Sequence, residues 1–275
     1  MAAVGSSAMG KTTESVFQNL PSYGVILGNT GGDWVKNNPK ETLKQIAAWG
    51  YKDIEGGNDY GMGIEGCRDF MLDLGLNPFT CGLSMNDMND HKKLAESLAK
   101  GKRWRAEYAI LYWPFNGAKY KFTIEEWDSI IAKLNEAGRI CREEGMKLLY
   151  HNHDFEMDLT GDWIPYDYML QNTDPELVNF EIDLYWVTKG GMDPIYFLKK
   201  YANRFPVMHV KDMDRTAERD FAIAGQGIID FAEIFAYSKL AGTQHFILEH
   251  DKPKDNRVCI EAGGKFLRNI KYALK

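Results

Sequence analysis

Short apolar runs alternate along this chain with longer segments whose apolar positions recur every three to four residues. Tyr23-Gly24-Val25-Ile26-Leu27-Gly28 reads as a first strand. Asn38-Pro39 then opens a helix carrying Leu43, Ile46, Ala47 and Trp49, closed by Gly50. A short strand over 52–55, a helix over about 64–74 ended by Gly75, and a strand over 78–83 follow. After a turn at Asp87–Asp90 comes a helix containing Leu94, Leu98 and Trp104, then a strand over 108–113 stopped by Pro114. Thr123 with Glu126 three residues on is a capping box, and Trp127, Ile130, Ile131, Leu134, Ile140 and Cys141 form the apolar stripe of the helix it starts. The same alternation then gives strands over 147–153, 178–183, 206–210 and 246–249. Helices are expected over 162–170, 194–201, 230–240 and 256–274.

Eight short strands alternating with helices predict a parallel sheet, and closure into a (β/α)8 TIM barrel gathers the strand ends at one mouth. The rival is an open doubly wound sheet, which usually carries a glycine-rich phosphate turn directly after its first strand. Here the matching pattern, Gly61-Met62-Gly63-Ile64-Glu65-Gly66, falls well beyond the second strand, where glycines suit a long loop. The barrel is the better reading, as one domain over 21–275 preceded by a disordered leader or added segment over 1–20.

The 275 residues suffice for one such barrel, and 44% hydrophobic with 26% charged residues fits a chain with a sizeable core. Net charge is −6 and the longest basic run is Gly101-Lys102-Arg103-Trp104-Arg105, which argues against a nucleic-acid partner. No apolar stretch reaches the roughly 18 residues of a membrane span, so no membrane partner is expected. Cys67, Cys81, Cys141 and Cys259 are scattered and read as core thiols. The first residues, Met1 to Lys11, lack the apolar core of a signal peptide, which leaves cytoplasm and periplasm both open; so is assembly into a homo-oligomer.

The last four strands each end on groups able to bind a metal: His151, His153 and Glu156, then Asp183, then His209, then Glu249. Oxygen and imidazole donors suit a divalent cation such as Mn, Mg, Co or Zn. In a strand His209 and Lys211 point to one side, so both can face the mouth; Lys211 would then meet a substrate oxygen, while Asp212 orients a histidine or a loop. A surface ion pair between Lys211 and Asp212 is the plainer alternative. His151 and His153 likewise share a side, and can bind metal, polarise a carbonyl or carry protons. Gly225-Gln226-Gly227 reads as a turn before the next helix.

Tyr150-His151-Asn152-His153-Asp154-Phe155-Glu156, Asp183-Leu184-Tyr185-Trp186, Gly190-Gly191-Met192-Asp193-Pro194, His209-Val210-Lys211-Asp212, Gly225-Gln226-Gly227-Ile228-Ile229-Asp230-Phe231 and Leu248-Glu249 together resemble the sugar phosphate isomerase/epimerase superfamily. That is the xylose isomerase-like TIM barrel group, which also holds inosose dehydratases, keto-sugar epimerases and endonuclease IV. The resemblance runs from about Tyr23 and is most specific after Lys147. It implies a metal held by Glu, Asp, His and Glu, carried over as Glu156, Asp183, His209 and Glu249, with His151 as the alternative first ligand.

The resemblance implies proton transfer α to the carbonyl of a keto-sugar or polyol-derived substrate, with Glu156 and Glu249 as the acid/base pair. An isomerase or epimerase is therefore expected. His153 at the same site would allow β-elimination instead, giving the alternative of a lyase of the inosose dehydratase kind or one eliminating from a 3-keto-glycoside. Substrate contacts are expected from His151, Lys211, Trp186, Trp113 and Glu55, with Phe115 and Tyr185 as further aromatic candidates. Apart from Lys211 and Arg215 no basic cluster marks a phosphate site at the last two strand ends, which favours an unphosphorylated small sugar or keto-sugar. The endonuclease reading needs an Asp-x-x-His pair where this chain has Asp183-Leu184-Tyr185-Trp186.

Overall fold

The structure is a computed structural model that describes residues 16–115 and 121–275. Its barrel strands are β1 (Gly24–Ile26), β2 (Asp53–Glu55), β3 (Thr80–Leu83), β4 (Tyr108–Leu111), β5 (Lys147–His151), β6 (Val178–Asp183), β7 (Val207–Val210) and β8 (His245–Leu248). Neighbours pair in parallel, and β8 returns to pair with β1. The ring closes at β3: Asn77–Pro78 pairs with β2 while Thr80–Leu83 pairs with β4, and Phe79 bridges the two segments. The expected closed barrel is therefore the observed one.

Strand alternation sorts the side chains into two layers. Ile26, Phe79, Tyr108, Ile110, Leu149, Val207 and Ile247 form a small apolar cluster of their own, the plug of the barrel. The intervening residues, among them Val25, Ile54, Ala109, Leu148, Phe180, Met208 and Leu248, join the large cluster shared with the helices. Two residues beyond three of the plug residues the same inward column continues with a polar group: Leu149 leads to His151, Val207 to His209 and Ile247 to Glu249. The apolar floor and the polar mouth are thus one column of alternate residues. All four cysteines are buried and unbridged. Among the described residues no helix is long and apolar enough to cross a membrane.

Several boundaries differ from the sequence expectation. The last helix stops at Asn269, because Ile270 turns extended and Tyr272–Ala273 pairs antiparallel with Phe17–Gln18. That pairing gives regular structure to part of the segment expected to be a leader; residues 1–15 lie outside the described residues. The expected helix over 230–240 is two short ones, Phe231–Phe235 and Ser238–Ala241. An unexpected helix, Leu184–Lys189, starts directly at the end of β6, because Asp183 caps it by accepting the Trp186 N–H at 2.9 Å.

After β7 the chain forms a hairpin between Asp212–Met213 and Phe221–Ala222. The Asp212 carboxylate accepts four main-chain N–H groups: Met213 at 2.8 Å and Ile229 at 3.1 Å on Oδ1, Gly225 and Gly227 each at 2.9 Å on Oδ2. Of the two roles expected for Asp212, it orders the loop. The glycines fit this wrapping: Gly225 has φ +84°, and a Cβ on Gly227 would lie 2.2 Å from the Met213 carbonyl.

The capping box of helix Ile124–Glu143 is present, with Thr123 Oγ1 accepting from Glu126 N–H and Glu126 Oε2 accepting from Thr123 N–H at 2.9 Å. Thr123→Ala is expected to lower stability by ~1 kcal/mol without altering the barrel mouth, which a denaturant titration checks.

Candidate active site

Parallel pairing sets His151 of β5 opposite Glu181 of β6, and Asp183 opposite His209 of β7. His209 in turn stands opposite Ile247 of β8, two residues before Glu249. These inward side chains meet at the mouth. His151, Asp183, His209 and Glu249, all buried, offer donor atoms that lie within 4.8 Å of one another. Asp183 Oδ2 receives no aligned hydrogen bond although it is buried, and the set comprises two imidazoles and two carboxylates. These residues fit a divalent cation, and a mixed nitrogen and oxygen set suits Zn, Co or Mn better than Mg.

Glu156, expected as first ligand, is not in this group; His151 takes its place. Residues Phe155–Met157 form a 3-10 turn beyond β5 that turns the Glu156 side chain away. Its Oε1 accepts from the Tyr150 hydroxyl at 2.5 Å and its Oε2 from the His153 N–H at 2.8 Å, so both oxygens have partners elsewhere. Burial pushes its carboxyl up to about 8 against the lowering effect of those bonds. It does not line the cavity that Glu249 lines.

Lys211 lies just above the group, almost wholly buried. Its Nζ is 3.0 Å from Asp183 Oδ2, 2.8 Å from Glu249 Oε2 and 2.9 Å from Asp251 Oδ1, with the Trp186 ring 5.1 Å away. Burial opposes its charge, but Asp183, Glu249 and Asp251 outweigh it and hold the ammonium protonated. Burial likewise works to raise the Glu249 carboxyl, yet Lys211 and His209 keep it well below the usual carboxylate range. Asp183 is pushed up by burial, with Lys211 opposing. This is a buried salt-bridge network, not the surface pair between Lys211 and Asp212.

A cavity of about 640 Å³ opens above these groups, lined in part by Tyr112, Trp113, His151, His153, Trp186, Lys211, Glu249 and Asp251. Of the expected substrate contacts, His151, Lys211, Trp186 and Trp113 thus reach it. Glu55 does not line it: that residue is fully buried, with Oε1 bonded to the Tyr112 hydroxyl and Oε2 to His209 Nε2. Tyr185 is buried with its hydroxyl on the Arg219 carbonyl, and Phe115 packs beside Trp113 with ring centroids 5.3 Å apart. His153 stacks on Trp113 at 4.0 Å, and its buried Nδ1 has no partner among the described residues. Burial, reinforced by Lys211, pushes its imidazole down to about 3, so the ring is neutral near pH 7.

Sequence reasoning missed Glu181, Asn29, Tyr112 and Asp251. Asn29 donates to Glu249 Oε1 and to Asp251 Oδ1, each at 2.8 Å, and so ties the two together. Glu181 had a readable signal, since Phe180 and Ile182 face the helices and the alternate residues must face inward.

The family model for the xylose isomerase-like TIM barrel matches residues 43–270. An inosose dehydratase of Geobacillus kaustophilus is 29% identical over 231 residues, which are 71% of this chain and 74% of that one. A sugar phosphate isomerase/epimerase from Parabacteroides distasonis superposes with a TM-score of 0.75 at 19% identity, covering 95% of this chain and 96% of that one. The IolI protein with a binding zinc atom superposes with a TM-score of 0.70 at 15% identity, covering 89% of this chain and 95% of that one.

Proposed function

The chain belongs to the xylose isomerase-like TIM barrel family, a family of sugar-modifying enzymes, and from that premise we propose that it is a divalent-metal-dependent carbon–oxygen lyase that removes water from a keto-sugar or a cyclic keto-polyol. This puts the lyase ahead of the isomerase or epimerase expected first from the sequence. The observation that carries the reading is the withdrawal of Glu156 from the cavity. The carboxylate pair expected for two-base epimerisation is thereby broken, whereas elimination needs only one group that takes the α proton and returns it to the departing hydroxyl. The cavity lining has Glu249 and Asp251 on the β8 side, and the neutral imidazole of His153 beside Asp154 on the β5 side. Similarity to inosose dehydratases over most of the chain supports the same ordering.

The cation would be held by His151, Asp183, His209 and Glu249. When bound, it supplies Lewis-acid polarisation of the substrate carbonyl. Lys211 keeps a fixed positive charge beside the group and stabilises an oxygen that becomes anionic as the α proton leaves. His153, with Nδ1 free of any partner among the described residues, takes that proton. The C–H electron pair forms the new C=C bond as the β C–O bond breaks. The departing hydroxyl takes up the proton from the same imidazole and leaves as water, so His153 ends neutral as it began. Trp113 and Trp186 flank the cavity and present apolar faces to the substrate ring while limiting water.

Metal content and turnover test this together. Native protein is expected to carry stoichiometric metal, kept in Glu156→Gln and lost in His151→Ala. NMR in D2O with 2-keto-inositols and 3-keto-sugars is expected to show an α,β-unsaturated ketone. Exchange of the α proton with epimer formation and no dehydration would instead establish the isomerase. Metal loss in Glu156→Gln with retention in His151→Ala would return the first ligand to Glu156.

A further inference from the structure

The cavity above the candidate metal group has two unlike sides. On the β5 and β6 side the buried atoms His153 Nδ1 and Trp186 Nε1 have no hydrogen-bond partner among the described residues. Both residues line the cavity, so a polar ligand can satisfy both. On the β1 to β4 side the polar side chains are already engaged. Asn29 places its amide hydrogens on Glu249 Oε1 and Asp251 Oδ1, each at 2.8 Å, and its Oδ1 accepts the Thr30 N–H at 2.9 Å. The Tyr112 hydroxyl donates to Glu55 at 2.9 Å, and Thr80 Oγ1 accepts the Gly56 N–H at 3.1 Å.

Gly28 stands on this second side. It follows the plug residue Ile26 by two positions, where the equivalent places beyond Leu149, Val207 and Ile247 hold His151, His209 and Glu249. Gly28 lines the cavity, and a Cβ there would meet no atom within 4 Å. Its backbone does not ask for glycine either, because its φ is not positive, unlike that of Gly56 at +100°. Neither packing nor conformation accounts for the missing side chain, whereas room in the cavity does. We propose that Gly28 is a specificity-determining residue: the space a side chain would fill takes an aromatic group that the substrate carries on the end of its ring away from the reacting carbon. The inference rests on the function proposed above, with the carbonyl at the metal group and the acidic proton at His153. Across the barrel β1 faces β5, so the far end of a ring held at His153 points toward Gly28. A cavity of about 640 Å³ is of the size that holds drug-sized ligands, larger than one sugar ring. The paired side chains of that wall offer contact rather than hydrogen bonds. They suit an aromatic group better than a second sugar, whose hydroxyls would lose water there without replacement.

The test uses 2-keto-inositol bearing a methyl or a benzyl ether at the carbon opposite the carbonyl, which takes no part in the elimination. In wild type kcat/KM is expected to be about tenfold higher for the benzyl ether, chiefly through KM, as burial of one aromatic ring allows. Gly28→Leu fills the space and should bring that ratio close to one; Gly28→Ala should lower it in part. If the Leu variant does not fold, the Ala variant carries the comparison. A ratio unchanged by substitution would overturn the proposal, as would an equal loss on both ethers. A preference for a glucosyl over a benzyl group would overturn it too. Gly28→Ala should also be no less stable than wild type in a denaturant titration. A loss of stability would assign the glycine to the fold instead.

A second readout does not depend on turnover. The methyl and benzyl ethers of inositol itself have no carbonyl and cannot react. By calorimetry wild type is expected to bind the benzyl ether about tenfold more tightly than the methyl ether, and Gly28→Leu to bind the two alike. That result, with no turnover of either ketone, would sink the lyase reading while supporting the role of Gly28. Equal affinities in wild type, or binding of neither ether, would overturn that role even where dehydration is observed.

Discussion

Lys211→Met is expected to destabilise the metal-free protein by about 3–5 kcal/mol, to tighten divalent-cation binding, and to lower kcat by about 10²–10³. The three effects have one origin. A single buried ammonium stands within 3.0 Å of oxygens of Asp183, Glu249 and Asp251. Removing it leaves three carboxylates with mutual repulsion and little water to screen them, which is the costly way to break a buried pair. Asp183 and Glu249 are also proposed metal ligands, so the ammonium and the cation compete for the same oxygens. Without Lys211 the cation no longer competes with an ammonium for these oxygens, and its affinity should rise by about tenfold or more, equivalent to ~1.4 kcal/mol. Catalysis fails all the same, because the fixed charge near the reacting oxygen is gone. Denaturant melts with chelator and with saturating metal check this: the variant should lose stability in chelator and recover most of it with metal. Weaker metal binding in Lys211→Met would mean that Lys211 supports the site rather than competing with the cation.

The strands and their order were legible because burial on both faces demands short, nearly continuous apolar runs, and each of the last four carries a polar group within one residue of its end. Asp183, His209 and Glu249 could be read for that reason, and the structure brings them together. Glu181 was equally open to reading, since it lies two residues before Asp183 on an inward column, but an acidic residue inside an apolar run is easily taken for a break in it. Glu156 was not legible. Its direction is set by the 3-10 turn after β5, where strand periodicity no longer applies, and by the position of the Tyr150 hydroxyl. Asn29 and Asp251 lie in loops beyond β1 and β8, and only barrel closure brings them near Lys211. The same limit hid the helix Leu184–Lys189: Asp183 is both its cap, through Oδ1, and a site residue, through Oδ2.

Glu156→Gln is expected to flatten the pH dependence of stability in the metal-free protein, and this follows from where that side chain lies. Its carboxyl is fully buried, and burial raises it from 4.5 to about 8 despite hydrogen bonds from Tyr150 and His153 that favour the charge. The folded protein therefore binds a proton at Glu156 that the unfolded chain has released between those two values. Because the folded state holds the extra proton, stability falls as pH rises through this window and levels off above the folded value. The full shift corresponds to a loss of ~5 kcal/mol, an upper bound that relaxation around the charge would reduce. A glutamine keeps an oxygen to accept from the Tyr150 hydroxyl or the His153 N–H, and it has no proton to lose. Denaturant titrations from pH 5 to 9 (about one unit beyond the window on the alkaline side) should show wild type losing stability steadily up to pH 8, and the variant losing several kcal/mol less. The two proteins should converge near pH 5, where Glu156 is neutral in the folded state. Parallel curves would mean that Glu156 is ionised throughout and that Tyr150 and His153 outweigh its burial. The carboxylate would then be a fixed charge behind His153, and the neutral imidazole on which the elimination depends would have to be held against it.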